Sequence, residues 1–87
     1  MKYAIIIEKP AEKFITRLAQ PEKERVLKAI HELPQKGDIK RLQCKKSRGM
    51  YRLRIGTYRI IYTVDNGRLV ICVVDAGNRG DIYKRYG

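Results

Sequence analysis

The sequence predicts an α+β fold: an N-terminal strand, a helical hairpin, then a three-stranded antiparallel meander (β-α-α-β-β-β) with a short C-terminal tail or helix. Three observations predict it. Apolar residues recur at helical spacing between Ala11 and Leu33, the period changes to two from Tyr51, and Asn66-Gly67 separates two β-branched runs. The chain has 87 residues. That length suits one domain and leaves no room for a cofactor domain beside a substrate domain, so residues 1–87 are read as a single unit.

The elements follow in order. Lys2 to Ile7 is a short apolar run that reads as a buried strand. Pro10 suits a first helical turn, where its missing N–H leaves no bond unmade, and Ala11, Phe14, Ile15, Leu18 and Ala19 give a helix of about three turns. Pro21 opens a second helix, with Glu22 and Glu24 near its positive dipole end and a stripe of Val26, Leu27, Ile30 and Leu33. Pro34 stops it. Gln35 to Gly49 carries Gly37, Asp38, Ser47 and clustered cations, and reads as an exposed connector anchored by Leu42. Tyr51, Leu53 and Ile55 then alternate with Arg52 and Arg54, Gly56-Thr57 supplies a turn, and Tyr58 to Val64 forms the next strand. Asn66-Gly67 tolerates the positive φ of a type I′ hairpin turn. Leu69 to Ala76 reads as a central strand, and Asp81 to Tyr86 as a last helical turn or a tail.

Charge narrows the function classes. Lys and Arg number 20 against 9 Asp and Glu, a formal net charge of +11. With 44% hydrophobic residues this is a globular chain and not a disordered basic tail. No apolar run approaches the ~18–20 residues that cross a bilayer, and the N-terminus lacks a signal-peptide pattern, so a cytoplasmic domain with no membrane partner is expected. The charge is uneven: between Ile39 and Val64 there are eight cations and no acid, namely Lys40, Arg41, Lys45, Lys46, Arg48, Arg52, Arg54 and Arg59. Such clustering suits a polyphosphate backbone or an acidic protein segment, with a solubilising surface as the plain alternative.

If Gly56-Thr57 is a two-residue loop, Arg54 lies directly opposite Arg59, and Arg52 faces the same way one pleat along. Like charges directly opposite on a sheet are destabilising by up to about 1 kcal/mol. No acid in either strand offsets them. Rigid strands also keep guanidinium forks in register for phosphate oxygens, so the pattern points to a built anion site rather than three solvated arginines. Pairing Asp65 with Arg68 puts Val74 opposite Arg59 and brings Arg79 out at the same end of the sheet, with Tyr83 four residues on. Ile61, Val70, Cys72 and Val74 on this side are too apolar to stay wet, which predicts a cover from the tail or a partner.

Other residues carry less. His31, the one histidine, reads as a solvated residue near a helix C-terminus. One His and two Cys give no zinc spacing, so no metal or other cofactor is expected. Cys72, in the middle of a strand, reads as a small hydrophobe, and Cys44 has no base and orienter beside it.

Tyr51-Arg52-Leu53-Arg54-Ile55-Gly56-Thr57-Tyr58-Arg59-Ile60-Ile61-Tyr62 resembles the central hairpin signature of the RelE/ParE toxin superfamily, and Gly77-Asn78-Arg79-Gly80-Asp81-Ile82-Tyr83 its C-terminal signature. The resemblance extends over nearly the whole chain. It implies a prokaryotic type II toxin of the RelE-like branch, a metal-independent endoribonuclease that cuts mRNA in the ribosomal A site by attack of the ribose 2′-OH. Its partners would be a small acidic antitoxin, the ribosome and mRNA. Carried over by motif, Arg52, Arg54 and Arg59 match the basic hairpin positions, and Arg79 and Tyr83 the C-terminal catalytic pair. Lys40, Arg41, Lys45, Lys46 and Arg48 would grip ribosomal RNA without sequence readout. The chain departs from the family where Arg54 stands at a position often held by a lysine base, and Asn78 where many relatives carry histidine. The resemblance therefore also admits a ParE-like, non-enzymatic inhibitor of DNA gyrase, or a weak homologue that acts by binding.

Overall fold

The computed structural model describes residues 3–42 and 49–86. The elements are β1 (Ala4–Ile7), α1 (Lys9–Thr16), α2 (Gln20–His31), β2 (Asp38–Arg41), β3 (Tyr51–Ile55), β4 (Tyr58–Asp65), β5 (Val70–Asn78) and α3 (Arg79–Tyr86). They form one five-stranded sheet in the order β1-β5-β4-β3-β2. β2 through β5 run antiparallel, and β1 returns parallel to β5 at the edge.

The α+β class and element order are those expected, with one strand more. Residues 38–41 pair with β3 instead of hanging as a connector, Ile39 opposite Leu53 and Arg41 opposite Tyr51. Ile39 packs against the core, which ties the strand down although its neighbours are charged. β1 is an edge strand that alternates between half-buried and exposed residues rather than a buried one, with Ile6 52% exposed. α1 spans eight residues, a little over two turns.

The core lies on one face only. Leu53, Ile55, Ile60, Tyr62, Ile71 and Val73 point from the sheet toward Ala11 and Ile15 of α1 and Val26 and Ile30 of α2. Each large aliphatic side chain buried there contributes about 1.5–3 kcal/mol. Tyr51 stacks on Tyr62 with centroids 5.6 Å apart, and Phe14 meets Tyr58 edge-on at 5.5 Å.

The Asn66-Gly67 loop departs from the two-residue turn. Asp65 pairs with Val70, not Arg68, so four residues connect the strands. The Asp65 carboxylate accepts the Arg68 N–H at 3.1 Å, and Leu69 takes the left-handed φ of 55°. A side chain that captures its own turn thus wins over the Asn-Gly preference. A register shift between Ile61 and Tyr62 adds one more residue on the β5 side, so that Arg59 lies opposite Gly77 rather than Val74.

The tail is a helix. α3 lies on the sheet face opposite α1 and α2, and Ile82 is 1% exposed. It fits because Gly77 has no side chain: a Cβ there would come within 3.3 Å of Ile82. Beside it Ile61 is fully buried, while Val70, Cys72 and Val74 remain half-buried. The cover expected over this apolar strip is therefore α3, and it is partial.

Candidate functional site

Strand alternation puts Arg52, Arg54 and Arg59 on the face that α1 and α2 leave free. Two rows cross it. One runs Asp38, Arg54, Arg59 and Gly77; the next runs Lys40, Arg52, Ile61 and Asp75. Arg54 and Arg59 are direct cross-strand partners, as the two-residue Gly56-Thr57 loop requires. Gly56 takes a φ of 59°, which a glycine adopts without strain.

α3 brings the remaining two groups. The Arg79 N–H donates to the Thr57 carbonyl at 2.9 Å, so the helix starts against the hairpin turn. With Gly77 opposite Arg59, Arg79 stands two residues beyond that pairing. Arg59, Arg79, Gly80 and Tyr83 line an open cleft of about 390 Å³, with the Tyr83 ring 61% exposed. Among the described residues this unites Arg52, Arg54, Arg59, Arg79 and Tyr83 on one side of the sheet. Lys40 shares that face, whereas Arg41 pairs with Tyr51 in the core-facing row and lies on the other. Lys45, Lys46 and Arg48, with Cys44, fall outside the described residues.

The electrostatics are those of a crowded cationic face. Burial pushes the Arg59 guanidinium below its ordinary pKa, and the positive charges of Arg52, Arg79 and Arg54 push the same way, with Tyr83 opposing. Among the described residues the buried Nε groups of Arg52 and Arg59 have no hydrogen-bond partner. An unsatisfied buried donor costs about 1–3 kcal/mol, and more when charged. A phosphate oxygen placed between them would relieve both the missing bonds and the repulsion.

The neighbouring strand β2 brings an acid to this face: Arg52 Nη2 lies 3.3 Å from Asp38 Oδ1, and only 11% of the Arg52 side chain is exposed. Asp38 belongs to the strand that the sequence concealed, so its proximity was concealed too. Asp38 is itself 61% exposed, which leaves the pair weak and easily exchanged for another anion.

A second group had no expected role. Asp75, 4% exposed in the middle of β5, accepts Arg85 Nη1 at 2.7 Å and the Tyr86 hydroxyl at 3.0 Å. Both donors come from the last turn of α3, so the carboxylate pins the helix that carries Arg79 and Tyr83. Its signal in the sequence was a lone acid inside a β-branched run. Cys72 donates to Glu8 Oε2 at 2.8 Å, and burial together with that carboxylate pushes its thiol up to about 11, far from a reactive thiolate. His31 is exposed. Among the described residues no group of three or more His, Cys, Asp or Glu side chains could hold a metal ion, and no helix is long and apolar enough to cross a membrane.

Residues 5–83 match the family described as ParE toxin of type II toxin-antitoxin system, parDE. The chain belongs to this toxin family. The archaeal RelE–RelB complex from Pyrococcus horikoshii OT3 is similar at 29% identity and a TM-score of 0.72, over 92% of this chain and 98% of that one. The toxin-antitoxin complex RelBE2 from Mycobacterium tuberculosis superposes with a TM-score of 0.76 at 19% identity, covering 91% and 100%. The intact E. coli RelBE complex gives 0.69 at 20% identity, covering 87% and 95%. At those lower identities the likeness is one of fold. No curated protein matches the chain in sequence. The protein is a toxin of the RelE/ParE superfamily, and the arginine face is the natural place to look for what such a toxin does.

Proposed function

We propose that this toxin is a metal-independent endoribonuclease that cuts mRNA on the ribosome. The observation that carries the reading is the convergence of Arg59, Arg79 and Tyr83 on one cleft, beside buried guanidinium N–H groups that no side chain among the described residues satisfies. Arg59 and Arg52 hold the scissile phosphate and the extra negative charge of its five-coordinate transition state. The ribose 2′-oxygen forms its bond to phosphorus as the bond to the 5′-oxygen breaks, leaving a cyclic phosphate and a 5′-hydroxyl. The 2′-OH proton leaves to solvent or to a ribosomal group, because a guanidinium does not accept it at neutral pH. Arg54 contributes charge alone. Arg79 stabilises the departing 5′-oxygen, which takes its proton from water, and Tyr83 orients the base or ribose. Lys40, with Arg41, Lys45, Lys46 and Arg48, grips ribosomal RNA through phosphates. The protein would work in the cytoplasm, held in check by a small acidic antitoxin suited to its +11 charge.

Induction in cells followed by mRNA cleavage mapping tests this. Cuts inside translated codons are expected, and Arg59→Ala and Arg79→Ala should each abolish them and relieve growth arrest. Intact message during growth arrest would remove the nuclease assignment, and full toxicity in both variants would remove these residues from the site. A second reading, a non-enzymatic gyrase inhibitor, is favoured by arginine rather than lysine at position 54 and by the exposed Asn78. Inhibition of supercoiling by the purified protein with message intact would select it, and failure of both assays would leave a binding module.

A further inference from the structure

The Gly56-Thr57 turn has a second cationic side. A Cβ on Gly56 would lie 2.9 Å from Nη2 of Arg25, so the guanidinium of this α2 residue rests directly on the turn. Arg25, Lys28 and Arg54 are exposed, and together with Gly56 they line an open cleft of about 400 Å³. Glu32 is the one acid in its lining. Among the described residues none of the three cations is in an ion pair. Arg54, opposite Arg59 across the hairpin, stands between this cleft and the one formed by Arg59, Arg79 and Tyr83.

From this juxtaposition we infer that the Arg25–Lys28–Arg54 cleft is a second phosphate subsite, holding the backbone of the same single-stranded RNA as it passes over the hairpin turn. The inference rests on the nucleolytic reading above. Two features favour a phosphodiester strand over an acidic protein segment. Of the apolar residues of the cleft, Leu53 and Ile55 are 1% and 8% exposed and the half-buried Ala29 is only a methyl group, so they offer no large anchor for a partner side chain. The exposed part of the lining is instead the charged groups of Arg25, Lys28 and Arg54, which suits a backbone with one charge per nucleotide. Contacts of this kind supply affinity and direction without reading bases.

The test is binding of fully 2′-O-methylated RNA, which presents phosphates but no attacking hydroxyl, to the whole protein across a salt series. A 12-nucleotide strand should reach both clefts and a 4-nucleotide strand only one. For the 12-mer, Arg25→Ala/Lys28→Ala should flatten the plot of log affinity against log salt by about 1.4, some 0.7 for each phosphate no longer neutralised, and weaken binding on the order of tenfold at 0.1 M salt. Binding of the 4-mer should not change, and Arg25→Lys should keep most of the slope. An unchanged 12-mer slope in the double variant overturns the subsite. If a polyglutamate peptide is the probe that weakens instead, the cleft is a protein dock and the inference fails. If the unmodified protein binds neither strand, the subsite is overturned, while cleavage mapping in cells still decides the nucleolytic reading.

Discussion

The two faces of the sheet obey different rules, and neighbouring residues on one strand show it. Ile60 points to the helices and is wholly buried in the core; Arg59 points away, partly buried among other cations. On the first face Leu53, Ile60, Tyr62, Ile71 and Val73 pack into the core beneath the helices. The second is left electrostatically unfinished: among the described residues Arg54 opposes Arg59, two Nε groups lack partners, and the exposed Asp38 gives partial relief. Stability is concentrated on the helix-covered face, and the proposed chemistry sits where the fold tolerates repulsion.

Substitutions can break this contrast, and the largest effect belongs to the core. Ile60→Ala should cost about 2–5 kcal/mol in urea unfolding, because the cavity opens between two layers that cannot close on it. An equal loss from Arg59→Ala would erase the distinction between the faces. Raising the pH should act on the core face next. Burial pushes the Tyr62 phenol up to about 12 from 10.0. The neutral form is therefore favoured in the fold, so its contribution is fully present below pH 10 and is lost as pH rises through 12. The loss should approach about 2–3 kcal/mol. Unfolding monitored beside phenolate absorbance checks it, and a flat profile above pH 10 would contradict the burial of that ring.

On the other face the expected sign reverses. Arg59→Ala should leave thermal stability unchanged or raise it by up to about 1 kcal/mol, since a cross-strand repulsion goes with it. The smallest effect is that of Asp38→Asn. Its pair with Arg52 is worth less than about 1 kcal/mol at that exposure, so melting should barely move. RNA affinity should rise by about a factor of two to five, as the freed Arg52 turns to phosphate. A drop in affinity would mean that Asp38 orients Arg52 rather than competing for it.

Much of this was legible in the sequence for a simple reason. A period of two across a two-residue loop fixes which side chains share a face, so the grouping of Arg52, Arg54 and Arg59 needed only Gly56 and Thr57 to be recognised as a turn. What lay hidden depended on side chains overriding local preference. The Asp65 carboxylate captured its own loop and lengthened it, and the shift between Ile61 and Tyr62 moved Gly77 opposite Arg59. β2 was masked because a four-residue edge strand with three charged members carries no periodic signal, and Asp38 was lost with it. Arg25 looked like any solvated helix residue, since only the tertiary fold brings α2 over Gly56. The length of α3 was ambiguous from its polar composition, because its order comes from Ile82 against Gly77 and from Asp75 rather than from helix propensity.

That last helix is tethered at both extremities, by a backbone bond to Thr57 at its start and by the buried carboxylate near its finish. Because one helix carries both Arg79 and Tyr83, losing the Arg85–Asp75 contact would loosen the two together, while Arg52, Arg54 and Arg59 would keep their places on the strands.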